Sequence, residues 1–438
     1  MAGVDHDPLA ALSHLQPHVE QLPCGLTVVA IELPTAHRVL IDTHLRVGAR
    51  YETNETSGIS HFLEHMLYRG TPAHPSAQEL ALAVESKGGM LLAATATDSG
   101  SLTVSSPPGN FAELLALHAQ VFQYPVLSGI DVERGIVSQE ILEGLDENGR
   151  SVDPDNLIRA LAFLDHPLGL PITGTLAHLE RFDRDMLTAH HGKHYTAQNA
   201  VMAIAGPIDI GFALEGVQQH FSNLPQGELA RAQAPAPASG PRFSYVKDSG
   251  SQTALRVAFR APGLQSEDEP AVDLILRLID DGMSTELYRR VCDNLGLCYD
   301  VSASYEAYSD SGLFEFRAET TPDRMAAVLR EILGIASDLG KRGPSAEALR
   351  KAQQRHLWQL YEMLDSPESL TNYFALGTLH QVQRSPIQRQ AQLAHFDAPA
   401  IAAAASRLFQ PQQLSVLAVG TLSRREQEAI AKQVADFR

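Results

Sequence analysis

The order of strand and helix patterns in this chain repeats once, and that repeat constrains the fold more than any single motif does. In the first half an apolar, strand-like run at 39–50 (VLIDTHLRVGAR) precedes a helical run around His61. In the second half the run at 253–263 (TALRVAFRAPG) precedes a helical run at 271–281 (AVDLILRLIDD). Each half continues with a glycine turn, a strand pair and an amphipathic helix, at 88–122 and again at 296–333. Each half then closes on a short apolar strand ended by a turn, VMAIAGPID at 201–209 and LSVLAVGTLS at 414–423. A shared order of strand, helix, hairpin and helix predicts two related α+β domains. Between them lies a stretch rich in Ala, Pro, Gly and Gln with neither helical nor strand periodicity, the composition of an extended linker. The expected division is a first domain at 1–225, a linker at 226–242 and a second domain at 243–438.

Composition narrows the functional classes. With 438 residues, 44% of them hydrophobic and 20% charged, the chain can bury a large core without covalent staples. Three cysteines, Cys24, Cys292 and Cys298, are too few for a disulfide framework. A formal net charge of −18 argues against a nucleic-acid partner, which calls for a basic face. No apolar run reaches the roughly 18 residues a membrane-spanning helix needs. The N-terminal stretch, MAGVDHDPLAALSHL, has neither the basic start of a secretory signal nor the arginines of a transit peptide. The expected location is cytoplasmic.

The chemistry concentrates at 58–71, GISHFLEHMLYRGT. His61 and His65 are four residues apart and share one face of a helix, so two imidazoles on adjacent turns can bind one zinc ion. Glu64 sits beside them, placed to take a proton from a water polarised by the ion and to return it to a leaving amine. The order His-x-x-Glu-His is the inverse of the common zinc-protease motif. A five-residue pattern with three fixed positions also arises by chance, so a further ligand is needed. The segment 131–147 reads as a helix carrying Glu133, Glu140, Glu143 and Glu147. Glu133 and Glu140, seven residues apart, fall on one face, while Glu143, Asp146 and Glu147 read as solvated charges. Ile136, Val137, Ile141 and Leu142 are its expected packing positions.

With these residues in view the chain resembles the pitrilysin and insulysin type of inverzincin zinc peptidases, in the branch of mitochondrial processing peptidase and its bacterial two-subunit relatives. The block 48–89, GARYETNETSGISHFLEHMLYRGTPAHPSAQELALAVESKGG, carries most of the resemblance, with HPLGLPITGT at 166–175 and HYTAQNAVMAIAG at 194–206. The family places a glutamate ligand about 75 residues after the second histidine, which selects Glu140 here, and a supporting glutamate seven residues earlier, which matches Glu133. The resemblance implies one Zn2+ per chain and hydrolysis of extended peptides, with two homologous domains forming a clamshell half of a dimeric chamber. It also implies that the peptide adds as a strand to a sheet edge, here at Leu92, Ala93, Ala94 and Thr95.

Two departures from the family pattern bear on activity. Leu92 stands where the family commonly has an asparagine that binds the substrate backbone. Active members also carry an Arg and a Tyr seven residues apart that polarise the scissile carbonyl. Tyr299 matches the Tyr, but Cys292 stands at the Arg position, with Arg289 one helical turn away. A homodimer using Arg289 and a heterodimer with a related subunit supplying the Arg/Tyr pair both remain open. So does maturation of a ribosomally made peptide precursor by such a heterodimer. A non-catalytic scaffold subunit is the alternative reading, and it leaves the intact His61, Glu64, His65 and Glu140 set without a role. His190, His191 and His194 lack a carboxylate ligand pattern and read as structural.

Overall fold

The repeat folds as two sheets of matching topology. In this computed structural model the described residues are Leu12, 15–249, 252–382 and 384–438, so the acidic N-terminal stretch 1–11 lies outside them. Strands β1 (His18–Gln21), β2 (Thr27–Glu32), β3 (Val39–Leu45), β4 (Met90–Thr95), β5 (Gly100–Ser106) and β6 (Ala200–Gly206) pair in the order β1-β2-β6-β3-β5-β4. Strands β7 (Arg242–Lys247), β8 (Thr253–Ala261), β9 (Val301–Ala307), β10 (Gly312–Thr320) and β11 (Leu414–Gly420) pair in the order β7-β11-β8-β10-β9. The pairing senses correspond. β2 runs parallel to β6 as β7 does to β11, and the remaining shared neighbours are antiparallel. β1 is an addition to the first sheet. β3, β6 and β11 are buried along their whole length, β6 and β11 as apolar strands and β3 with Asp42, Thr43 and His44 among its buried residues.

In the first sheet the connections carry helices α1 (Ile59–Leu67), α2 (Ala77–Glu85), α3 (Phe111–Gln123) and α4 (Ile130–Glu143). In the second, helix Glu269–Ile279 follows β8 and helix Pro322–Arg342 follows the β9–β10 hairpin, at the places of α1 and α3. No helix or strand occurs between residues 224 and 241.

Two compact units result, and neither is continuous in sequence. The first comprises the described residues up to Ile141, then 170–232 and 359–387; the second comprises 142–169, 233–358 and 388–438. In the first unit, helix Pro367–Leu379 lays Leu370, Phe374, Ala375 and Leu379 on Val29, Ile31, Val201, Ala203 and Ala205 of the sheet. Thr371 Oγ1 there donates to buried Asp42 Oδ2 on β3 at 3.2 Å. In the second unit, helix Pro154–Ala162 places Ile158 and Ala162 on Ala254, Ala258, Leu417 and Val419. Arg256 Nε donates to Asp155 Oδ1 at 2.9 Å. Each sheet is therefore covered by a helix drawn from the other half of the sequence.

Candidate active site

The start of α1 is fixed by close packing and by a buried acid. Gly58, just before the helix, has φ +89, and a Cβ there would stand 2.5 Å from the Thr173 carbonyl oxygen. Gly174 has φ +71, and its Cβ would meet the Ser57 carbonyl oxygen at 2.3 Å. Two glycines thus let the 171–174 turn touch the helix start. The buried Glu52 carboxylate accepts from the Gly58 N–H at 2.8 Å and the Ser60 N–H at 2.9 Å, satisfying two of the helix's free donors. Burial pushes this carboxyl above the usual range. Within α1, Ile59, Phe62, Leu63, Met66 and Leu67 are buried in the core, which leaves His61, Glu64 and His65 as the polar stripe.

α4 brings its acids to that stripe. His61 Nε2 lies 3.5 Å from Glu140 Oε1, and His65 Nε2 lies 3.8 Å from Glu140 Oε2. One ligand atom from each of His61, His65 and Glu140 falls within 4.8 Å of the others, the one such group among the described residues. Ligands of a tetrahedral zinc ion, about 2.0–2.1 Å from the metal, stand about 3.3 Å apart, so these donors must close by up to about 1.5 Å to hold one ion. Burial, aided by neighbouring His65, pushes the His61 imidazole down to about 4, so it is neutral and able to ligate at physiological pH. His65 Nδ1 lies 3.3 Å from Glu133 Oε2, and Glu133 Oε1 accepts from Arg69 at 3.2 Å. Glu133 is only 6% exposed. Of the apolar positions on α4, Val137 and Ile141 are buried as expected. Ile136 and Leu142 are instead 50% and 45% exposed, because the buried stripe runs Glu133, Val137, Ile141 at four-residue spacing.

β4 is one of the two edge strands of the first sheet and, among the described residues, pairs with β5 alone. Leu92, Ala93, Ala94 and Thr95 all lie on it, and Leu92 is 50% exposed. Thr95 Oγ1 donates to Glu64 Oε2 at 2.5 Å. Glu64 is half-buried, and desolvation raises its carboxyl above the usual range against the lowering effects of Thr95 and His65.

Tyr299 and Cys292 belong to the second unit. Tyr299 is 95% exposed. Cys292 Sγ lies 3.9 Å from Cys298 Sγ, and burial together with Cys292 pushes the Cys298 thiol up to about 12. Arg289 donates to Glu286 at 2.7 Å. The three histidines of the 190–194 cluster make hydrogen-bond contacts within the first unit. His190 Nε2 lies 3.1 Å from Ser60 Oγ, His191 Nε2 lies 2.9 Å from the Phe122 carbonyl oxygen, and His194 Nδ1 lies 2.9 Å from that of Arg46. Sequence reasoning missed Glu52 and the Thr95–Glu64 bond. An acid six residues before a glycine that opens a helix was a usable signal for the first.

Residues 27–176 match the family described as Insulinase (Peptidase family M16), and residues 181–355 match the Peptidase M16 inactive domain. A Mycobacterium bovis protein named as an uncharacterized zinc protease is 31% identical over 349 residues, 77% of this chain and 77% of that one. The chain belongs to peptidase family M16. A Rickettsia felis protein, also named as a zinc protease, is 30% identical over 371 residues, 82% of this chain and 88% of its own length. Two solved structures share the fold of this M16 chain. A protease from Helicobacter pylori aligns with TM-score 0.86 at 20% identity, covering 93% of this chain and 100% of that one. The peptidase M16 inactive domain from Pseudomonas fluorescens aligns with TM-score 0.86 at 18% identity, covering 93% and 98%. Within the M16 chain the His-x-x-Glu-His motif falls in the first matched stretch. No helix among the described residues is long and apolar enough to cross a membrane.

Proposed function

We propose that this M16 chain is a zinc metalloendopeptidase that hydrolyses extended peptides. The observation that carries the reading is the convergence of His61, His65 and Glu140 within 4.8 Å beside the Glu64 carboxylate. His61, His65 and Glu140 would hold the ion, one per chain, and Glu133 orients His65 through its Nδ1. Bound zinc supplies Lewis acidity and makes water a nucleophile near neutral pH. Glu64 takes the proton from the attacking water and delivers it to the leaving amine. The free edge of β4, from Leu92 to Thr95, receives the peptide as an added strand held by main-chain hydrogen bonds. An unfolded segment can supply such a strand, whereas a folded domain has its strands already paired.

The carbonyl-binding part of the site is incomplete in this chain. Cys292 replaces the cation expected seven residues before Tyr299, and the nearby Arg289 guanidinium is engaged by Glu286 at 2.7 Å. These observations support a related partner subunit that contributes an Arg/Tyr pair, in the manner of a heterodimer maturing a peptide precursor. The test uses the purified chain alone and with such a relative, on an unfolded peptide. Expected is about one zinc per chain and cleavage that a chelator abolishes and added zinc restores. Active protein free of transition metal would overturn the reading. Full activity of the chain alone, lost in Arg289→Ala, would overturn the partner requirement.

A further inference from the structure

β4 does more than present an edge. Alternate residues of a strand share a face, so Leu91, Ala93 and Thr95 lie on one face of β4, and Met90, Leu92 and Ala94 on the other. The first set is the face covered by α1, since Thr95 reaches Glu64 there. Its hydroxyl donates to Oε2 at 2.5 Å, a short bond of the kind an ionised carboxylate accepts. Holding Oε2 in this way fixes the carboxylate plane and leaves Oε1 as the oxygen free to act as base. Thr95 is also the last residue of β4, paired with Gly100 of β5, and its main chain borders the free edge. One residue therefore links the strand that receives the peptide to the side chain that activates water.

We infer that Thr95 is a positioning residue that aims Glu64 and ties the base to the register of the substrate-binding strand. The inference rests on the peptidase reading above and assigns Thr95 a role distinct from gripping the peptide. Thr95→Val is the direct test, because valine keeps the β-branched shape that suits a strand and removes only the hydroxyl. A misaimed base predicts kcat about 10-fold to 100-fold lower. KM, zinc content and Tm should be unchanged, and Thr95→Ser should recover most of the rate. In a Glu64→Gln background, Thr95→Val should change neither the residual rate nor the Kd for an uncleaved peptide measured by fluorescence anisotropy, since the group it serves is gone. Wild-type kcat in Thr95→Val would overturn the inference. A raised KM or Kd with kcat intact would return Thr95 to a substrate-binding role. Failure of the peptidase reading shows separately, as a parent chain that holds no zinc or cuts no peptide. The contact is then read from crystal structures of the parent and Thr95→Val chains. Release of Glu64 from its rotamer in the variant supports the inference, and an identical rotamer in both contradicts it.

Discussion

Glu133 ties a proposed metal ligand to the rest of the first unit. Its buried carboxylate lies 3.3 Å from His65 Nδ1 and accepts from Arg69 at 3.2 Å, a geometry suited to fixing the orientation of the ring. Glu133→Gln keeps the shape and removes the charge. It should weaken zinc affinity about 10-fold to 100-fold, measured by competition with a chromogenic chelator. Unchanged affinity would reduce Glu133 to a packing acid. Leu92 makes the opposite case, an apolar side chain left 50% exposed on a strand proposed to bind peptide backbone. Leu92→Asn should raise kcat/KM for unfolded peptides of arbitrary sequence in a steady-state assay, and a fall would show that Leu92 itself contributes binding. At this scale much of the geometry was legible, because four-residue and seven-residue spacings translate directly into shared helix faces. The Thr95–Glu64 bond was not, because it joins a strand to a helix 31 residues away and no local period encodes it.

α1 holds two of the three proposed ligands, so its starting point sets their aim. That start depends on Gly58 and Gly174 touching and on Glu52 receiving the first N–H groups. Gly58→Ala combines φ +89 with a 2.5 Å approach to the Thr173 carbonyl oxygen. Strain of this kind costs about 1–3 kcal/mol, read as a lower denaturation midpoint together with weaker zinc binding. A variant of parental stability would show that the turn at 171–174 yields freely. The helices themselves could be anticipated, since apolar spacing and glycine marks show in the sequence. The stripe of α4 that turns inward could not, because acids and apolar residues are mixed around that helix. Glu133, Val137 and Ile141 go inside while Ile136 and Leu142 stay out.

For the whole molecule the repeat predicted matching sheets, and the matching strand orders show why it was readable: each half carries the same sequence of patterns. The exchange of covering helices was not readable. Amphipathic periodicity says that helix Pro367–Leu379 has an apolar face, but not that it lies on a sheet made before residue 207. Its Thr371 meets Asp42 across 329 residues of chain. A fragment of residues 1–225 alone should therefore expose Val29, Ile31, Val201, Ala203 and Ala205, and aggregate. A monomeric, soluble fragment by size-exclusion chromatography would contradict this. The central claim, that Glu64 is the base of a zinc peptidase and not a ligand, meets its most direct test in Glu64→Gln. Zinc content and cleavage of an unfolded peptide are measured on the same preparation, with a partner subunit added if the chain requires one. The account predicts zinc retained at the parental level and hydrolysis reduced about 10²-fold to 10⁴-fold. Loss of zinc, or hydrolysis at the parental rate, would contradict it.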